Sequence, residues 1–91
     1  MDFPDVSIIM PTYNEAGAIE STVNSYLKLN LKYNFEIVVV DNNSRDGTDK
    51  IVESISNKFQ NVRLVSRIGK NGGFGSTLID GTSAAKGKYV V

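Results

Sequence analysis

Two polar segments follow directly on apolar runs, and they hold the side chains best suited to chemistry. The first is Pro11-Thr12-Tyr13-Asn14-Glu15, behind Val6-Ser7-Ile8-Ile9-Met10. The second is Asp41-Asn42-Asn43-Ser44-Arg45-Asp46-Gly47-Thr48, behind Ile37-Val38-Val39-Val40. An aspartate placed at the end of such a run sits at a sheet rim, partly desolvated and fixed in direction. A carboxylate so held is suited to accept hydrogen bonds from the imide N–H of uracil, or from the N1–H and exocyclic amine of guanine. Tyr13 can stack on a base face while the backbone of its loop serves the ring edge. Each residue also has a plainer reading. Pro11 can simply end a strand, Tyr13 can be a half-buried loop aromatic, and Glu15 can favour the start of a helix through its dipole. Asp46-Gly47-Thr48 has the composition of a turn entering a helix cap.

Absences narrow the chemistry further. The 91 residues contain no cysteine and no histidine, which excludes disulfides, thiolate zinc sites and His-dependent triads within this sequence. Any catalysis would rest on carboxylates, hydroxyls or lysine. Gly72, Gly73 and Gly75 satisfy neither the dinucleotide fingerprint nor the P-loop spacing, and are read as letting a helix start close to a sheet. Arg67 and Lys70 could approach a phosphate, with solvated surface positions as the expected reading, and Asp80 is read as solvent-facing.

The elements that must position these groups follow from periodicity. Val6–Met10 reads as a strand closed by Pro11. Ile19, Val23, Tyr26 and Leu27 form one helical stripe, and Phe35–Val40 reads as a strand covered on both faces. Thr48 is the expected N-cap of a second helix with Asp49 in its first turn, and Ile51, Val52, Ile55 and Phe59 form its stripe. Val62–Val65 is a third strand. Phe74, Leu78, Ile79, Thr82 and Ala85 mark a third helix, Gly87 a left-handed residue after it, and Tyr89–Val91 a fourth strand. The βαβαβαβ pattern predicts an α/β, Rossmann-like parallel sheet of order 3-2-1-4, with a ligand crevice between strands 1 and 4.

Size and charge bound the partners. The length fits a single domain or part of one, read here as one partial domain over residues 1–91. Ten basic and ten acidic side chains cancel, so no nucleic-acid partner is expected. No apolar run approaches the roughly 20 residues of a membrane span, and no basic stretch leads into an apolar one at the start. The expected location is cytoplasmic, peripheral to a membrane in a complete enzyme. Two helices on one face and one on the other would leave apolar surface and an open edge strand, so a homo-oligomer is expected.

Three motifs in order give the chain a family resemblance over nearly its whole length. They are Val-Ser-Ile-Ile-Met-Pro-Thr-Tyr-Asn-Glu (6–15), Glu-Ile-Val-Val-Val-Asp-Asn-Asn-Ser-Arg-Asp-Gly-Thr (36–48), and Lys-Asn-Gly-Gly-Phe-Gly-Ser-Thr (70–77) with Gly81 and Ala-Ala-Lys-Gly-Lys-Tyr-Val-Val (84–91). The sequence resembles the family 2 glycosyltransferases of the GT-A fold, in particular their dolichol-phosphate mannosyltransferase-like branch. The resemblance implies a nucleotide-sugar donor, GDP- or UDP-hexose, with mannosyl or glucosyl transfer to a polyprenyl phosphate. It assigns Pro11, Tyr13 and Glu15 to the first nucleotide-binding loop, and Val39 and Asp41 to the strand end that holds the base.

Where the family commonly reads Asp-Asp-Gly-Ser, this chain reads Asp41-Asn42-Asn43-Ser44, an amide in place of the second carboxylate. The resemblance also implies a divalent cation, Mg²⁺ or Mn²⁺, held by an Asp-x-Asp motif in the complete enzyme. No Asp-x-Asp occurs in these 91 residues. The chain is therefore expected to be the nucleotide-recognition half of such an enzyme, without catalytic residues of its own and inactive alone. The rival expectation is a non-catalytic nucleotide-binding or assembly module. A dinucleotide-dependent oxidoreductase is disfavoured, because Pro-Thr-Tyr-Asn-Glu stands where the glycine fingerprint would be.

Overall fold

A computed structural model of the chain describes residues 4–29, 33–67 and 74–91. The elements run β1 (Val6–Thr12), α1 (Ile19–Leu27), β2 (Phe35–Asp41), α2 (Thr48–Lys58), β3 (Val62–Ser66), α3 (Phe74–Ala84) and β4 (Tyr89–Val90). The strands form one parallel sheet in the order β3-β2-β1-β4, as the alternation predicts. Val6 to Thr12 of β1 stand opposite Phe35 to Asp41 of β2, so both strands end at the same level.

The sheet's two faces follow from strand parity. Ile37 and Val39 join Ile19 and Val23 of α1, Val52 and Ile55 of α2, and Val62 in one core, with Met10 and Leu64 packed against it. Val38 and Val40 point the other way, beneath α3. There Gly81 brings the helix so close that a Cβ would lie 2.6 Å from Ile9 Cγ2 and 2.8 Å from Val40 Cγ2. The reversal of direction in the strand order carries α3 to the opposite face from α1 and α2.

Several local expectations change. Pro11 does not end β1, which continues to Thr12. Ile9 donates its N–H to Val91, so at this parity the N–H that proline lacks is directed to the β4 side and the ladder with β2 does not need it. Thr48 is not the N-cap of α2. Gly47 is (φ 92°), and Thr48 is the first helical residue, its N–H accepted by Asp46. Phe59 leaves the α2 stripe as an extended, exposed residue after the last turn.

On α3, Thr77 and Gly81 face the sheet, one helical turn apart, which turns Ile79 outward, 67% exposed. Gly87 is not left-handed; among the described glycines Gly47 is. Gly87 is glycine for space, since a Cβ there would meet the Ser7 backbone nitrogen at 2.6 Å and the Val6 carbonyl carbon at 2.7 Å. Lys70, Gly72 and Gly73 lie outside the described residues.

One acid interrupts the apolar run of β2. Glu36 is 4% exposed and joins three parts of the fold on the α3 face. It accepts the Ser7 hydroxyl of β1, Arg63 Nε of β3 at 2.8 Å, and the Lys86 N–H at 2.7 Å in the connection to β4. The same Arg63 donates to the Ala84 carbonyl, and the Gly87 N–H donates to Ser7 Oγ at 2.7 Å. Burial pushes the Glu36 carboxyl up, but the donors from Arg63, Ser7 and Lys86 together outweigh it and hold the group below its ordinary value.

Candidate functional site

The ends of β1 and β2 meet at Thr12 and Asp41, which are register partners. Thr12 Oγ1 donates to Asp41 Oδ1 at 2.8 Å, and the Asn42 N–H donates to the Thr12 carbonyl at 2.9 Å. Beyond Asp41 the chain turns back on its carboxylate. Ser44 donates its N–H to Oδ2 at 3.0 Å and its hydroxyl to Oδ1 at 2.6 Å, with Asn43 left-handed (φ 57°) at the bend.

The two loops are then laced together. The Asn14 N–H donates to Ser44 Oγ, and Asn14 Oδ1 accepts the Arg45 N–H. The Glu15 N–H donates to Thr48 Oγ1, and the Ala16 N–H donates to Asp46 Oδ2. Hydrogen bonds from the Thr48 hydroxyl, the Ala16 N–H and the Thr48 N–H hold the exposed Asp46 carboxyl below its usual range. Polar turn residues that read as local punctuation thus connect segments some thirty residues apart in the chain.

This lacing decides what each predicted residue can do. Tyr13 lies between Thr12 (2% exposed) and the anchored Asn14, and is itself 59% exposed. A large aromatic face is therefore presented to solvent from a backbone fixed on both sides, which lowers the ordering cost of a stacking contact. Pro11 is half-buried opposite Val40. Glu15 is exposed, while its carbonyl accepts the Ala18 and Ile19 N–H groups in the turn that opens α1.

Val39 has no exposed surface and belongs to the core, two positions inside the strand end, so it supports the rim and does not line it. Asp41 is at the rim but only 2% exposed, with donors from Thr12 and from both groups of Ser44 on its oxygens. These three donors make Asp41 the post from which both loops hang, at the strand end expected to hold the base.

Residues read as solvated form a second network on the opposite face of the same rim. Arg67, one residue past β3, is 2% exposed. Its Nε pairs with Asp80 Oδ2 at 2.7 Å; its Nη1 donates to Asn42 Oδ1 at 2.6 Å and to Thr77 Oγ1 at 2.9 Å. Its own N–H donates to the Asp41 carbonyl. The available signal was an arginine directly after a strand, together with Thr77 and Asp80 three apart on a helix. Among the described residues, no group of three or more His, Cys, Asp or Glu side chains converges to hold a metal ion, and no helix is long and apolar enough to cross a membrane.

Comparison with known proteins gives a consistent set of relatives. The model of Glycosyl transferase family 2 matches residues 7–91. A dolichyl-phosphate beta-glucosyltransferase of Dictyostelium discoideum is 32% identical, over 92% of this chain and 28% of its own length. A poly(ribitol-phosphate) beta-glucosyltransferase of Bacillus spizizenii is 31% identical, over 94% of this chain and 14% of its own. Among solved structures, S. aureus TarS 1-349 superposes with a TM-score of 0.81 at 35% identity, over 96% of this chain and 26% of that one. The mannosyltransferase PcManGT of Pyrobaculum calidifontis, in complex with GDP-Man and Mn2+, superposes with a TM-score of 0.76 at 30% identity, over 93% and 25%. The chain thus spans less than a third of the length of each of these proteins.

Proposed function

Since the chain belongs to Glycosyl transferase family 2, we propose that its laced rim holds the nucleoside of a nucleotide-hexose donor. Tyr13 supplies the stacking face, Pro11 and Glu15 flank it, and Asp41 keeps the loop bearing Tyr13 and the loop bearing Asn42 in one register. The observation that carries this reading is the exposed Tyr13 ring on a doubly anchored backbone at the carboxyl ends of parallel strands, where sheets of this class take their ligands. In the whole protein the reaction is transfer of a hexose, mannosyl or glucosyl, to a polyprenyl phosphate. The dolichyl-phosphate relative supports that acceptor.

The residues present do not fit a divalent cation. Among the described residues no three His, Cys, Asp or Glu side chains converge, the Asp41 carboxylate takes three protein donors, and no Asp-x-Asp occurs in the sequence. No metal-dependent step is therefore assigned to these residues, and the 91-residue chain is expected to bind donor without transferring sugar.

Calorimetry with UDP and GDP tests the reading. At least one of them is expected to bind, and Tyr13→Ala is expected to weaken it about tenfold, the scale of one base–aromatic stack. No heat with either nucleotide, or an unchanged affinity in Tyr13→Ala, would overturn it.

Self-association belongs to the same proposal. The edge strand β4 exposes Tyr89 and Val90, and Ile79 faces outward from α3. Light scattering at micromolar concentration is expected to give a species larger than the monomer; a monodisperse monomer contradicts this.

A further inference from the structure

We propose that Arg67 is a positioning residue that locks the side-chain amide of Asn42 in one orientation, so that the site accepts keto bases and rejects amino bases. The inference rests on the nucleotide-binding reading above and concerns which hydrogen-bonding edge that site can meet.

The lock follows from donor and acceptor inventory. A guanidinium has donors and no acceptor, so the Asn42 atom 2.6 Å from Arg67 Nη1 must be the amide oxygen. Rotating the amide by half a turn would place its NH₂ against the guanidinium, donor against donor. Arg67 cannot move aside to allow this, because it is 2% exposed, paired with Asp80, bonded to Thr77 Oγ1 and tied by its backbone to Asp41. Asn42 is itself held at the strand end by its N–H on the Thr12 carbonyl. The amide therefore offers a fixed pattern: the NH₂ donors on the side away from Arg67, and the second lone pair of Oδ1 beside them.

That pattern complements a ring carbonyl next to a ring N–H. Uracil presents such a pair in O4 and N3–H, and guanine in O6 and N1–H. Cytosine presents the reverse, an amine next to a ring nitrogen acceptor, as does adenine. Against the locked amide an amino base would set donor on donor and acceptor on acceptor. Asp41 already takes three donors, two on Oδ1 and one on Oδ2, and has no donor of its own to offer an amino base's ring nitrogen.

UDP and CDP differ only at this edge and serve as probes in calorimetry on the intact chain. UDP is expected to bind at least tenfold more tightly than CDP, the scale set by leaving polar groups unpaired in a desolvated contact. In Arg67→Met the amide is free to turn, and the UDP/CDP ratio is expected to fall to within about threefold of unity. A merely structural arginine would lower both affinities together and leave the ratio standing, so a ratio retained in folded Arg67→Met overturns the proposal.

Equal affinities in the unaltered chain also overturn it, while leaving nucleotide binding intact. If neither UDP, GDP nor CDP binds, the underlying reading fails, and the proposal with it. Should Arg67→Met not fold, Asn42→Ala decides: it removes the amide from the edge altogether, so a UDP/CDP ratio that falls toward unity supports the proposal and an unchanged one refutes it.

Discussion

Glu36→Ala is expected to destabilise the chain by about 3 kcal/mol, a large fraction of the stability of any domain of this size. The carboxylate is 4% exposed and takes donors from β1, β3 and the α3–β4 connection at once. Removing it leaves the Ser7 hydroxyl and the Lys86 N–H without their acceptor and the Arg63 guanidinium without its counter-charge. Arg63 is 30% exposed and can turn toward water, which keeps the expected cost at the lower end for a broken buried pair. Urea denaturation followed by circular dichroism measures it. A midpoint equal to that of the unaltered chain would show that the clamp adds nothing.

The same residue sets a pH dependence. Its carboxyl is held below the ordinary value of 4.5 in the folded chain, so the unfolded state takes up the proton first as pH falls. The stabilisation is complete above the ordinary carboxylate range and is lost as pH drops through the lower folded value. Asp46 acts with the same sign. In Glu36→Gln the decline in urea midpoint between neutral and acid pH is expected to flatten; parallel slopes would remove Glu36 as its source.

Arg67→Met is the second large effect, with an expected loss of about 3 kcal/mol. Methionine fills much of the same volume, so the cost is electrostatic and polar. Asp80 loses its cation, and Asn42 and Thr77 lose a donor that is almost completely buried. Asp80 is 28% exposed and recovers part of its solvation, whereas Asp80→Asn leaves a buried guanidinium with a neutral partner. Both variants are expected to lower the thermal midpoint, Arg67→Met by more. An Arg67→Met chain that melts with the unaltered one would place this network outside the stability of the fold.

How far such features can be read from residues alone depends on where their partners lie. The runs of β1, β2 and β3 are carried by apolar spacing within a few residues and appear where that spacing puts them, as do Ile19 and Val23 of α1 and Val52 and Ile55 of α2, whereas Tyr26 and Phe59 of the same stripes are exposed. The position of Asp41 at a strand end is legible in the same way, because Ile37–Val40 stop there. Its burial is not, since Thr12 reaches it across the sheet and Ser44 folds back onto it. Pro11 was open to a strand-ending reading because proline's missing N–H matters only if a neighbour needs it, and that depends on which strand lies on that side.

The pattern of hydrophobic and polar residues by itself determined the layered α/β class, the parallel sheet and the level at which the candidate site lies. Periodicity is local, and burial of apolar surface rewards it wherever the chain goes. Tertiary structure alone decided which charged groups are buried: Glu36 and Arg67 instead of solvated side chains, and Asp41 as an anchor with Asn42 beside it. A buried charge is tolerable only where donors or acceptors from distant segments converge on it. For Glu36 those partners lie 29, 27 and 50 residues away along the chain, and only the folded sheet brings them within hydrogen-bonding distance.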